Sequence, residues 1–203
     1  GMRAGAGDAE ASRTSVLTAA LLMPILFGNP LPFDFRRDLD RLAYLRSLPM
    51  KPFAIAVGQI ATAVIFFAVF EMLVLVGASL LSGAIPAAWL GMAAVLVLPV
   101  AWGAAAVENL LFLILPYRVG PDGRAGGQFL GKALLLIFLK VILIGVLFLA
   151  GGAAWWGVWL LTESMAVGVA AAALAMVIPT LPLTWLVGRT YARFDLTRDQ
   201  PAT

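Results

Sequence analysis

The stretch FAIAVGQIATAVIFFAVFEMLVLVGASLL, Phe53 to Leu81, is apolar along its length and is interrupted only by Gln59 and Glu71. About 20 apolar residues in an α-helix cross the ~30 Å hydrocarbon core of a bilayer. The run exceeds that length, and it is too long for a strand or an ordinary core helix. A helix also satisfies every backbone N–H and C=O within the segment, which lipid requires. The sequence therefore predicts a transmembrane helix here, closed by the turn Ser82-Gly83-Ala84-Ile85-Pro86.

Similar runs lie on both sides. Val16 to Phe27 is shorter, contains Pro24 and leaves through Gly28-Asn29-Pro30-Leu31-Pro32. It reads as a helix starting near Thr14 or as a re-entrant piece, with a cleaved signal peptide as the rival. Trp89 to Leu115 carries Pro99, Glu108 and Asn109, and Tyr117 to Gly127 is a Gly-rich polar loop. Phe129 to Leu161 follows, with a break or bend expected at Gly151-Gly152, then the minimal turn Thr162-Glu163-Ser164. Met165 to Val187 is the last run, with Pro179 and Pro182 near its end. Residues 1–13 form a polar lead, and 14–203 one helical domain. A Gly before Met2 is not a natural start and reads as a chain cut from something longer.

Composition agrees. Of 203 residues, 62% are hydrophobic and 12% charged, with a mean hydropathy of +0.98. A soluble domain carries about twice that charge. There is no Cys and no His. That excludes disulfides, thiolate and imidazole metal sites, and a Ser-His-Asp triad. The fold class expected is all-α: a polytopic membrane protein of about five transmembrane helices with one amphipathic helix outside the lipid.

Basic residues set the orientation. Arg36, Arg37, Arg41, Arg46 and Lys51 follow the first run. Arg118 and Arg124 follow the third, and Arg189, Arg193 and Arg198 follow the last. The turns at the other end, 82–88 and 162–164, carry none. The positive-inside rule places the basic loops and the carboxyl terminus in the cytoplasm, in a multi-pass protein of the inner membrane. Trp89, Trp155, Trp156 and Trp159 then fall at the outer boundary as an aromatic belt.

The amphipathic segment runs from Asp34 to Leu48. Phe35, Leu39, Leu42, Leu45 and Leu48 recur at spacings of four and three, which is one helical stripe. Arg37, Asp40, Arg41 and Tyr44 occupy the opposite face, and Pro49 stops the helix. A helix that only lies on anionic lipid has no need of aspartates. Mixed charge predicts a docking helix for a cytoplasmic partner, with the leucine stripe on the bundle.

Within the spans, Glu71, Glu108, Lys132 and Lys140 are costly in hydrocarbon and should face protein or water. Counting residues from the helix ends puts Glu108 between Lys132 and Lys140 in depth. A pair of Glu108 with one of the two lysines is expected. Glu71 falls in the outer half and is expected to snorkel to the outer interface. Gly126-Gly-Gln-Phe-Leu-Gly131-Lys132-Ala133 imitates a phosphate-binding loop but lacks the Ser or Thr that holds magnesium and has no strand before it. Gly127 with Gly131 and the stretch Gly168–Ala175 are read as surfaces for close helix packing. Nothing suggests nucleic acid.

The segment Phe33-Asp-Phe-Arg-Arg-Asp-Leu-Asp-Arg-Leu-Ala-Tyr-Leu-Arg-Ser-Leu-Pro-Met50, followed by Gly58-Gln59, Glu108-Asn-Leu-Leu-Phe112 and the tail Arg193-Phe-Asp-Leu-Thr-Arg-Asp-Gln-Pro201, resembles the permease subunits of bacterial ATP-binding-cassette (ABC) exporters. The likeness covers roughly residues 28 to 201. It implies a noncatalytic transmembrane subunit, working as a homodimer or heterodimer of permeases in membrane lipid. Its coupling helix would dock on a separate ABC ATPase through Phe35, Arg37, Asp38, Asp40 and Arg41. The chain would hold no cofactor; ATP and magnesium would sit on the ATPase. Permeases of this type have about six helices, and the five read here suggest a carboxyl-terminal portion. An ion-coupled secondary transporter using the Glu108–lysine pair, an intramembrane enzyme and a purely structural subunit are the rival readings.

Overall fold

The structure is a computed structural model, which describes residues 35, 42–82, 86–115 and 127–194. Among these, five helices form: α1 (Leu42–Ser47), α2 (Pro52–Ser82), α3 (Ala87–Ile114), α4 (Gly127–Thr162) and α5 (Met165–Arg193). No strand occurs among the described residues. The last four helices are each long and apolar enough to cross a membrane. The protein is thus an all-α polytopic membrane protein. The run Val16–Phe27, expected as a further span, lies outside the described residues, as does the polar lead.

Local chemistry explains the helix limits. Pro52 opens α2 and Pro86 immediately precedes α3, where a missing N–H costs nothing because the first turn has no acceptor for it. The α4–α5 turn is only Glu163-Ser164. Its tightness requires the left-handed conformation at Glu163, with φ of 52°. The Glu163 N–H closes the end of α4 by donating to Trp159 O at 2.8 Å.

Helices α3 and α5 form the middle of the bundle, each packed on the other and on α2 and α4. More than half of the span window of α3 is buried, 56%, against 22% in α2 and 17% in α4. The central position of α3 follows from its run of small residues. Ala101, Gly103, Ala104, Ala105 and Ala106 are all buried, and small side chains let neighbouring backbones approach where lipid offers no hydrophobic drive. Leu147 packs so closely on Gly103 that a β-carbon there would lie 2.4 Å from its Cδ1. At the arginine-bearing end α2 and α5 touch backbone to backbone, a β-carbon on Gly188 falling 2.9 Å from Phe53 Cα. Large exposed side chains such as Ile65, Leu80, Leu149 and Ile178 then form the lipid-facing surface.

Three sequence expectations change. Helix α4 runs unbroken through Gly151-Gly152. Breaking it in lipid would free backbone groups with no partner, and Gly151 instead makes room for Met176, whose Cε lies 2.3 Å from the position of an added β-carbon. Gly131 meets no neighbour within 4 Å among the described residues, whereas Gly168, Ala172 and Ala173 are buried as expected of a packing surface. Glu71 does not snorkel: it is 1% exposed and shares the inward stripe of α2 with Ile60, Val64, Phe67 and Leu75.

Candidate functional site

The arginine-bearing end joins the segment before α2 to the ends of α3 and α5. Phe35 and Leu42 are buried, Leu45 and Leu48 partly so, and Tyr44 is 66% exposed. Of the stripe expected over Asp34–Leu48, Phe35 and Leu42 lie in the bundle; helix is described for Leu42–Ser47, and Leu39 lies outside the described residues. Phe35 stacks on Tyr191 of α5, with centroids 5.0 Å apart and planes 19° from parallel. Its backbone N–H donates to Asn109 Oδ1 at 3.2 Å, and Asn109 Nδ2 donates to Ala105 O at 2.8 Å, one turn back in α3. A buried amide is thereby used on both its oxygen and its nitrogen.

Arg46, on α1, reaches the end of α5. Its Nη2 donates to Tyr191 O at 3.0 Å and also to Phe194 O. The guanidinium carbon lies 5.7 Å from the Tyr191 ring centre. The last carbonyls of a helix lack intrahelical donors and carry its negative dipole end, so an arginine there satisfies both. Tyr191 is thus held between Phe35 and Arg46, and Phe194 leans on Phe112 of α3 at 6.4 Å. The segment before α2 is clamped to α3 and α5 at once.

Phe35, placed from sequence among the residues facing an ATPase, turns its ring into the bundle. Arg37, Asp38, Asp40 and Arg41 lie outside the described residues. Arg46, Asn109 and Tyr191 were not singled out for this site. Asn109 had a signal in being an amide inside an apolar run. Tyr191 had none, because its partner Phe35 is 156 positions away in the chain.

A second feature begins at Glu108, the residue next to Asn109 on α3. Lys140 Nζ on α4 is bonded to Glu108 Oε1 on α3. Both side chains are almost buried, 13% and 8% exposed. The other candidate, Lys132, lies in α4 with its side chain outside the described residues. Helix α4 has 36 residues, about 54 Å, longer than a bilayer core, and its candidate membrane span runs from Ile137 to Thr162. Lys140 therefore stands just inside the lipid boundary, facing the last turns of α3. Nearby, Trp102 Nε1 of α3 donates to Thr184 Oγ1 of α5 at 2.9 Å, and that hydroxyl donates to Thr180 O at 2.8 Å. Polar links thus tie α3 to both α4 and α5.

Glu71, past the middle of α2, has both carboxyl oxygens buried with no hydrogen-bond partner among the described residues. At the end away from the arginines, α3, α4 and α5 enclose a pocket of about 280 Å³ lined by apolar side chains, among them Trp89, Leu96, Phe148, Trp155 and Met176. No group of three or more His, Cys, Asp and Glu side chains suited to a metal occurs among the described residues.

Compared with family models, curated proteins and solved structures, the chain matches none of them.

Proposed function

We propose that this chain is the transmembrane permease subunit of an ABC-type exporter, in which a separate ATPase docks on the segment before α2 and drives movement of the spans. One observation carries the reading: the clamp formed by Phe35 on Tyr191 and Arg46 on the end of α5. A push on this segment would reach α3 and α5 through Phe35 and Arg46. Arginines gathered at that end favour a cytoplasmic placement in the inner membrane, where an ATPase has access to ATP. The mixed charges of Arg37, Asp38, Asp40 and Arg41 suit a protein partner better than bare lipid. The Glu108–Lys140 pair, which links α3 to α4, acts in this reading as a register lock between the two helices.

The test is affinity purification of the full chain from its native membrane. An ATPase of the ABC type should copurify, and Arg37→Glu with Arg41→Glu should abolish that while membrane insertion stays intact. Retention of the ATPase by the charge-reversed chain would remove the docking role.

Glu71 favours a second reading, an ion-coupled secondary transporter. A buried carboxyl without a hydrogen-bond partner inside a span is a default candidate for ion or proton binding. Transport by reconstituted protein under a proton gradient, with no ATPase present, would select this reading over the first.

A further inference from the structure

The pocket between α3, α4 and α5 has a depth, a lining and an opening that together define its ligand. It begins at the helix ends, where Trp89 lies in the first turn of α3 and Met165 opens α5. It ends at Gly151 and Met176. Met176 lies three turns into α5, roughly 16 Å at 1.5 Å per residue. That is close to half of a ~30 Å hydrocarbon core, so the pocket occupies the thickness of one leaflet.

Among the described residues the lining contains no charged, hydroxyl or amide side chain, and the indole N–H groups of Trp89 and Trp155 are its side-chain polar hydrogens. A headgroup or any polar solute would lose its hydration with nothing in return. Small residues create the space. Ala93, Gly151 and Ala172 are buried in its walls, and Gly168 lets the Trp155 ring lie against α5, where a β-carbon would come within 2.7 Å of it. Gly152, one of the lining residues, is exposed with nothing within 4 Å of where a β-carbon would stand, which leaves the wall open at α4 within its candidate span. The volume, about 280 Å³, lies just below the usual ~300–1,000 Å³ of small-molecule sites.

We propose that this pocket binds one acyl chain of a membrane amphiphile, entering sideways from the leaflet opposite the arginine-bearing end. The chain lies along α4 and α5 with its terminal methyl near Met176, a flexible thioether that adapts to the end of a chain. The amphiphile's polar end stays at the level of Trp89 and the stacked Trp155–Trp159 pair, whose centroids are 5.9 Å apart, as tryptophans prefer the membrane interface. The assignment does not depend on the exporter reading, since failure of an ATPase to copurify would leave it unaffected.

The test uses the full chain in maltoside micelles and a medium-chain fatty acid carrying bromine, which quenches indole fluorescence on contact. Quenching should saturate, and Trp155→Phe should remove most of the saturable part. Gly152→Leu fills open space at the mouth and should weaken binding about tenfold, with Ala172→Leu as a second block from the facing wall. Gly91→Leu also enters open space but lies outside the pocket, so its binding should match the unmodified chain. Three results would overturn the proposal: quenching that never saturates, equal affinity in folded Gly152→Leu and Ala172→Leu proteins, or a Gly152→Leu effect on oligomer size in place of fatty-acid affinity. The last would assign the opening to a second copy of the chain.

Discussion

Phe35 stacks on Tyr191 with ring centres 5.0 Å apart, and its own N–H is held by Asn109. The contact joins the segment before α2 to the last turn of α5. Deleting a buried aromatic ring costs about 3–5 kcal/mol of the interaction it supports. Phe35→Ala is expected to release that segment while leaving the four long helices assembled. Limited trypsin digestion of the purified protein should then cut faster after Arg46, with little change in the melting of the bundle. An unchanged cleavage rate would show that the stack does not hold the segment down.

The Glu108–Lys140 pair should behave as one unit. Breaking an ion pair in a nearly dry site costs about 3–5 kcal/mol. Glu108→Ala and Lys140→Ala are each expected to destabilise strongly, and the double variant to cost little more than either alone. A double-mutant cycle on unfolding in mixed detergent checks this. Fully additive losses would mean that the two side chains do not act together.

Gly188 and Gly58 should respond oppositely to the same methyl group. At Gly188 the added carbon meets Phe53 backbone at 2.9 Å, which cannot move aside without shifting α2. Gly188→Ala is expected to lower stability by about 1–3 kcal/mol. Gly58 has open space around it in a long helix, so Gly58→Ala should raise stability by about 0.5–1 kcal/mol. Thermal melts of both variants, read side by side, test the close approach of α2 and α5.

Glu163 holds a left-handed conformation at the α4–α5 turn. That conformation costs a residue with a β-carbon about 1–2 kcal/mol and glycine almost nothing. Glu163→Gly should raise the melting temperature, and Glu163→Val should lower it. A lower temperature for the glycine variant would contradict the turn geometry.

Much of this architecture could be read directly from residue order. The four long helices match apolar runs to within a few residues at most ends, although α5 continues past Val187 to Arg193. The turn at Thr162-Glu163-Ser164 and the burial of Phe35 and Leu42 were also legible, because turn chemistry and apolar patterning are local. Depth counting narrowed Glu108 to two lysines but could not choose between them: Lys132 and Lys140 lie two turns apart on α4 and bracket Glu108 about equally. Glu71 misled for a related reason. Without a polar face on α2, nothing local says which way residue 71 points.

Sequence alone determined that the chain crosses lipid, where its helices start and stop, and that its arginines collect at one end. These follow from transfer free energy and backbone hydrogen bonding, which each segment settles for itself. Tertiary structure decided the rotation of each helix about its axis. It turned Glu71 inward, gave Lys140 to Glu108, brought Phe35 to Tyr191 and opened the pocket beside Gly152. In lipid an apolar side chain is nearly as well placed outside the bundle as inside it. Helix rotation is therefore set by close contacts at small residues and by the few polar groups that find one another, and both depend on neighbours far away in the chain.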